Sequence, residues 1–226
     1  MKRSTAVCLA SCLFAIATVG CSDDGTGPHN ADPIALPVRV HLLSSSKTDP
    51  ITTSLINTTI TDEEVAVLFQ GANEVWRQAS ITWEIESIVR DSTRNEDKFT
   101  SVSRGESPLD LLSSVVPDGR SLPKKWNVFI VRTLGDGVAG AYLPDVRAVI
   151  LPEVDRTGAR DLTVTGSGRR ALAHELGHSL SLEHVPCPPE GNLMAPMCDA
   201  LNRTLLTTIQ ILQARRVGFA GRPYGL

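Results

Sequence analysis

The run His174-Glu175-Leu176-Gly177-His178-Ser179-Leu180-Ser181-Leu182-Glu183-His184 constrains this chain more than any other feature. On an α-helix, His174 and His178 stand about 40° apart around the axis and about 6 Å apart along it, so both imidazoles face one point. Glu175 lies beside that face. A continuous helix would turn His184 by about 240° relative to His178, away from the pair. The three histidines can meet only if the helix stops first and the chain bends back. Three imidazoles with a carboxylate alongside form the donor set of a hydrolytic zinc site, in which the carboxylate takes a proton from the attacking water. At ordinary His and Glu frequencies this arrangement arises by chance about once in ten thousand chains of this length.

The scaffold has to come from the remainder of 226 residues, 42% of them hydrophobic and 21% charged, which suits one globular domain and excludes disordered or collagen-like chains. Lys2 and Arg3 precede an apolar run from Ala6 to Val19, about 14 residues against the roughly 20 of a membrane-crossing helix. That layout is a secretory signal peptide over residues 1–20. Two cleavage signals compete. Ala15-Ile16-Ala17 has the small-x-small pattern, and Thr18-Val19-Gly20-Cys21 resembles the lipobox of bacterial lipoproteins. The second is preferred, because Cys8 and Cys12 leave with the leader and lipidation of Cys21 removes the odd thiol among Cys21, Cys187 and Cys198. Residues 21–35 then form a flexible tether and residues 36–226 the catalytic domain, exported and held in the bacterial cell envelope, or otherwise secreted. Cys187 and Cys198 enclose a proline-rich loop where a disulfide would add about 2–3 kcal/mol, two free thiols being the alternative. Without its leader the chain moves from net charge −3 to −5, so no nucleic-acid partner is expected.

Periodicity places the elements. Leu36 to Leu43 alternates as a first strand, with His41 on its second face and, like His29, lacking any sequence partner. Thr61 and Glu64 form a capping box for a helix from Asp62 to Gln78, whose inward stripe is Val65, Leu68, Phe69, Ala72, Val75, Trp76 and Ala79. Ile81, Trp83 and Ile85 begin a second strand. Residues 91–123 are loop-like, with a short helix near Leu109 to Val115. Trp126 to Val131 suits a buried central strand. After an Asp136-Gly137 turn, Val138 to Leu143 reads as an edge strand and Arg147 to Leu151 as another. Ser167-Gly168 opens the helix that carries the histidines. A last helix is expected over Arg203 to Val217, capped by Asn202, with Leu206, Ile209, Leu212 and Ala214 inward and Gly218 as its stop. This order of elements is α+β.

Beyond His184, Asn192-Leu193-Met194-Ala195-Pro196 lies in a turn-prone stretch, and with it most of the mature chain resembles the metzincin clan of zinc peptidases. His174, Glu175, His178 and His184 stand as in the clan's motif H-E-x-x-H-x-x-G-x-x-H, and Met194 falls where its Met-turn passes beneath the metal. The resemblance implies a twisted mixed sheet with an edge strand for substrate, one catalytic Zn²⁺ on the three histidines, and Glu175 as general base and later proton donor. It implies a monomeric zinc endopeptidase acting on extended peptides or proteins, which would pair antiparallel with Val138 to Leu143. Calcium is left open, and membrane contact is expected only through a lipid anchor. Ser181 stands where the clan has Gly, at a bend that demands a left-handed backbone, a cost of roughly 1 kcal/mol for serine. The rival readings are a zinc-binding surface protein without useful turnover, and a hydrolase of non-protein amides.

Overall fold

The computed structural model describes residues 31–48, 56–106, 109–120, 124–135, 138–154, 167–186, 191–196 and 203–225. The signal peptide, Cys21, His29, the Asp136-Gly137 turn, Cys187, Cys198 and Asn202 lie outside them.

Strand β1 (Ile34–Ser44) leads to helix α1 (Asp62–Trp76), β2 (Ile81–Ser92), α2 (Glu96–Ser103), β3 (Trp126–Val131), β4 (Ala141–Leu143), β5 (Ala148–Pro152), α3 (Ser167–Ser179) and α4 (Thr208–Phe219). The five strands form one mixed sheet in the order β2-β1-β3-β5-β4. β1, β2, β3 and β5 run parallel, and β4 is the antiparallel edge. The opposite edge is blunted at Trp83, whose backbone N–H donates to Asn73 Oδ1 at 2.8 Å while its carbonyl accepts from Asn73 Nδ2 at 3.0 Å.

Both faces of the sheet are covered. Ile34, Leu36, Val38, Val40 and Leu42 of β1, with Trp126, Val128 and Ile130 of β3, pack against α1, α3 and α4. Leu43, Phe129, Val131 and Ile150 turn the other way, onto Phe99 and Val102 of α2 and the 3₁₀ segment Leu109–Ser114 with its successors Val115 and Val116. That is why β3 is apolar throughout: it is central and buried on two sides. The capping box that starts α1 is formed, with Thr61 Oγ1 accepting from Glu64 N at 3.2 Å and Glu64 Oε2 accepting from Thr61 N at 2.8 Å.

Four sequence expectations change. α1 ends at Trp76 and a 3₁₀ turn, Arg77–Ala79, follows. Helix α2 occupies part of the stretch expected to be loop, started by Asn95, whose Oδ1 accepts from Lys98 N at 3.1 Å. The edge strand is only Ala141–Leu143. The last helix begins at Thr208, because Thr207 and Gln210 make their own capping box five residues beyond the expected start. This rotates the helix. Ile209 and Leu212 are exposed at 75% and 63%, while Ile211, Ala214 and Gly218 face inward, Gly218 lying under Ile34 and Leu36 rather than ending the helix. His41 does have partners, on the two strands flanking its own and 50 and 86 residues away in sequence: Nδ1 lies 2.7 Å from Asp91 Oδ2 and Nε2 lies 3.3 Å from Asn127 Oδ1.

Candidate metal centre

Helix α3 is anchored before it contributes any chemistry. Trp76 Nε1 donates to Ala173 O at 3.2 Å, Trp126 Nε1 donates to Ser179 Oγ at 3.1 Å, and Trp76, Trp83 and Trp126 meet edge to face beneath the helix. The helix stops as the histidine spacing demands. Leu182 N donates to Gly177 O and Ser181 N to His178 O, at 3.0 and 2.9 Å, a paired closure in which Ser181 takes φ +64°. Ser181 thus adopts the left-handed bend anticipated at this position. Gln213 of α4 donates from Nε2 to the Ser181 carbonyl and, at 3.1 Å, to Ser181 Oγ, which holds the bend in place.

The turn brings His184 back over the helix. The Nε2 atoms of His174, His178 and His184 form a triangle with sides of 3.1, 3.1 and 3.2 Å. His174 Nδ1 donates to Leu193 O and His178 Nδ1 donates to Leu182 O, each at 2.7 Å, so in both rings the lone pair sits on Nε2 and points into the triangle. Lone pairs facing one another repel, and a cation between them turns that repulsion into ligation. A tetrahedral zinc with Zn–N of about 2.0–2.1 Å spaces its nitrogens about 3.3 Å apart, so the triangle already has the size of one face of that coordination shell. The residues therefore fit a divalent metal with three nitrogen ligands. Burial favours the neutral, ligating form, holding His174 below the usual histidine range and His178 down to about 4, the latter helped by its neighbour His174.

Glu175 is buried on the adjacent face, and burial pushes its carboxyl up to about 8, opposed by the backbone N–H of Tyr142 on β4, which donates to it. A divalent cation among the histidines would oppose the same shift. Gly140 gives this side chain its room, since a Cβ there would lie 2.9 Å from Glu175 Cγ.

Of the residues that hold the site, the resemblance had singled out Met194 and its turn, Asn192 to Pro196, but not Gln210. Met194 is fully buried against Gly177, where a Cβ would lie 2.6 Å from its sulfur. Its loop, which supplies the carbonyl for His174, is fastened by Asn192 and Gln210. Asn192 Nδ2 donates to Gln210 Oε1 at 2.8 Å, Gln210 Nε2 donates back to Asn192 Oδ1 at 3.2 Å, and Asn192 Oδ1 also accepts from Met194 N at 2.9 Å. Gln210 carried a sequence signal of its own, the Thr207-to-Gln210 capping pair, which went unread.

No family model matches the chain, and no curated protein matches it in sequence. Solved structures match it at low similarity. Metalloproteinase-II from Bacteroides fragilis is 14% identical with a TM-score of 0.41, over 82% of this chain and 53% of that one. Archaemetzincin from Methanopyrus kandleri is 13% identical with a TM-score of 0.44, over 83% and 97%. A chain from a chaperone-substrate complex is 13% identical with a TM-score of 0.45, over 83% and 35%. The chain thus spans about half the length of the first of these. What the site can do chemically rests on its own geometry.

Proposed function

We propose that this protein is a zinc-dependent endopeptidase of metzincin type, exported to the cell envelope. The observation that carries the reading is the triangle of three Nε2 atoms, two of them oriented by Nδ1–H donation to backbone carbonyls, with a buried carboxylate one residue from the first histidine. His174, His178 and His184 would hold the ion, which when bound supplies a Lewis acid that polarises a carbonyl and acidifies a water. Glu175 takes the proton of the attacking water and passes it to the leaving amine. Its burial suits a group that must both accept and give back a proton near neutral pH. The carbonyls of Leu193 and Leu182 fix the tautomers of the two helical ligands. Met194 takes the Met-turn position, its apolar side chain filling the space under α3.

An extended peptide substrate would add antiparallel to the edge strand β4, the strand whose Tyr142 N–H already reaches Glu175. Residues 1–20 act as signal peptide, Cys21 as lipid attachment site, residues 21–35 as tether and residues 36–226 as the catalytic domain, with Cys187 and Cys198 bridged and the enzyme monomeric. The test is hydrolysis of a mixed peptide library by zinc-loaded residues 22–226 beside its Glu175→Ala variant. The proposal requires cleavage by the first and loss of most activity in the second at equal zinc content. Two silent proteins that each hold one zinc would replace it with the reading of a zinc-binding surface protein.

A further inference from the structure

Among the described residues, the large hydrophobic side chains that are exposed are Leu205, Ile209, Leu212, Phe219 and Tyr224, all within one stretch of twenty residues. Ile209, Leu212, Arg216 and Phe219 fall within an arc of about 80° on the outer face of α4. The reading of this helix as inward-facing there accounts for none of them, and neither the metal centre nor its supporting bonds use that face. The inner face is fully occupied by Gln210, Ile211, Ala214, Arg215 and Gly218. Single exposed apolar residues are ordinary, but a row of them on one helix marks a contact surface.

The charge around the row indicates what covers it. From Arg203 to the C-terminus there are four arginines and no acidic residue, in a chain of net charge −3. Arg216 lies within the apolar row and is exposed, and Arg222, three residues past the end of α4, is exposed too. A second copy of the chain docked through this row by a two-fold axis would bring Arg216 toward its own equivalent, whereas anionic headgroups pair it. The place where the N-terminal chain enters the fold adds a second argument. Arg215 of α4 donates from Nη2 to Asp32 O at 2.7 Å, so the described chain begins beside this helix, ten residues after Cys21 at Ala31. Ten residues reach at most about 33–36 Å.

We infer that the outer face of α4 is a membrane-docking surface that lies in the headgroup region of an anionic phospholipid bilayer, with Ile209, Leu212 and Phe219 inserted and Arg216 and Arg222 on the phosphates. This contact is separate from the peptidase reading, and of its two arguments only the second rests on Cys21 as a lipid anchor.

Co-sedimentation with vesicles tests it. Both core clusters, with the side chains packed on them, are drawn from residues between Ile34 and Val217, so residues 22–226 carry the whole fold and lack Cys21. The zinc-loaded protein should bind vesicles of equal parts phosphatidylglycerol and phosphatidylcholine, and bind them less as salt rises. Leu212→Glu with Phe219→Glu should weaken binding at least about tenfold. Arg216→Ala and Arg222→Ala should each cost about fivefold on the anionic vesicles and nothing on pure phosphatidylcholine. Unchanged thermal midpoints and zinc content verify that the variants fold. The inference is overturned if the parent protein ignores both vesicle types, if Leu212→Glu with Phe219→Glu binds as well as the parent, or if the row instead makes a concentration-dependent dimer without vesicle binding.

Discussion

Replacing Gln210 with alanine separates the metal centre from the scaffold that holds it. Gln210 and Asn192 are 8% and 4% exposed, and their amides pair in both directions. Gln210 Oε1 also accepts from Thr207 N at 2.8 Å, the return half of the α4 capping box. The substitution leaves Asn192 Nδ2 buried without a partner, about 1–3 kcal/mol, and removes half of a capping box, about 0.5–1 kcal/mol. Together these amount to about 1.5–4 kcal/mol, or about 3–16 °C in thermal midpoint for a domain of this size. The consequence for the site is larger than that figure suggests. Asn192 begins the turn whose next carbonyl, Leu193 O, fixes the tautomer of His174. Losing a group that orients a ligand typically weakens metal binding 10- to 100-fold. Calorimetry of the metal-free protein measures the first effect, and competition for zinc against a chromogenic chelator measures the second. A midpoint that falls as expected while zinc affinity stays within about twofold would refute the reasoning, because the backbone bonds Leu193 N to Leu205 O and Thr204 N to Gly191 O would then position the loop alone.

Ser181→Val places a β-branched residue at φ +64° and removes the hydroxyl that Gln213 contacts, so urea unfolding should show a loss of about 2 kcal/mol, with weaker zinc binding because the bend returns His184 to the site. Gly140→Ala would press on Glu175 Cγ from 2.9 Å, so turnover should fall about tenfold or more at unchanged zinc content, and an unaltered kcat would show that the carboxylate has room to spare. In the metal-free protein, burial keeps His41, His174 and His178 neutral below the ordinary 6.5, and keeps Glu175 protonated up to about 8. Unfolding therefore takes up protons on the histidines below 6.5 and releases one from Glu175 above its ordinary 4.5. Below 6.5 the two effects oppose each other, and above it Glu175 acts alone, so these sites make stability fall from pH 6.5 to about 8. Urea midpoints of the parent and of Glu175→Gln should diverge across that upper window, and parallel curves would remove the burial argument.

The parts of this molecule that were legible in its sequence are those whose partners lie within a few residues. The capping box of α1 spans four positions, the alternation that opens β2 spans five, and the histidine geometry spans eleven, including the demand that the helix stop near Ser181. Helix α2 escaped because its first turn is Glu96-Asp97-Lys98 and only Phe99 and Val102 mark its inner face, too few to establish a period. The larger error, at α4, has a different origin. Hydrophobic periodicity assigns apolar side chains inward, yet here Gln210 and Arg215 are buried while Ile209, Leu212 and Phe219 are not. Gln210 is inside because Asn192 needs both its donor and its acceptor, and Arg215 is inside because its guanidinium caps the Ala79 and Asp32 carbonyls, 136 and 183 residues away in sequence. Those partners satisfy the polar groups that burial would otherwise penalise, and once they take the inner face the apolar residues between them are turned to the outside. The same rotation therefore produces both the polar support under the metal centre and the exposed apolar row, and sequence periodicity missed both for one reason.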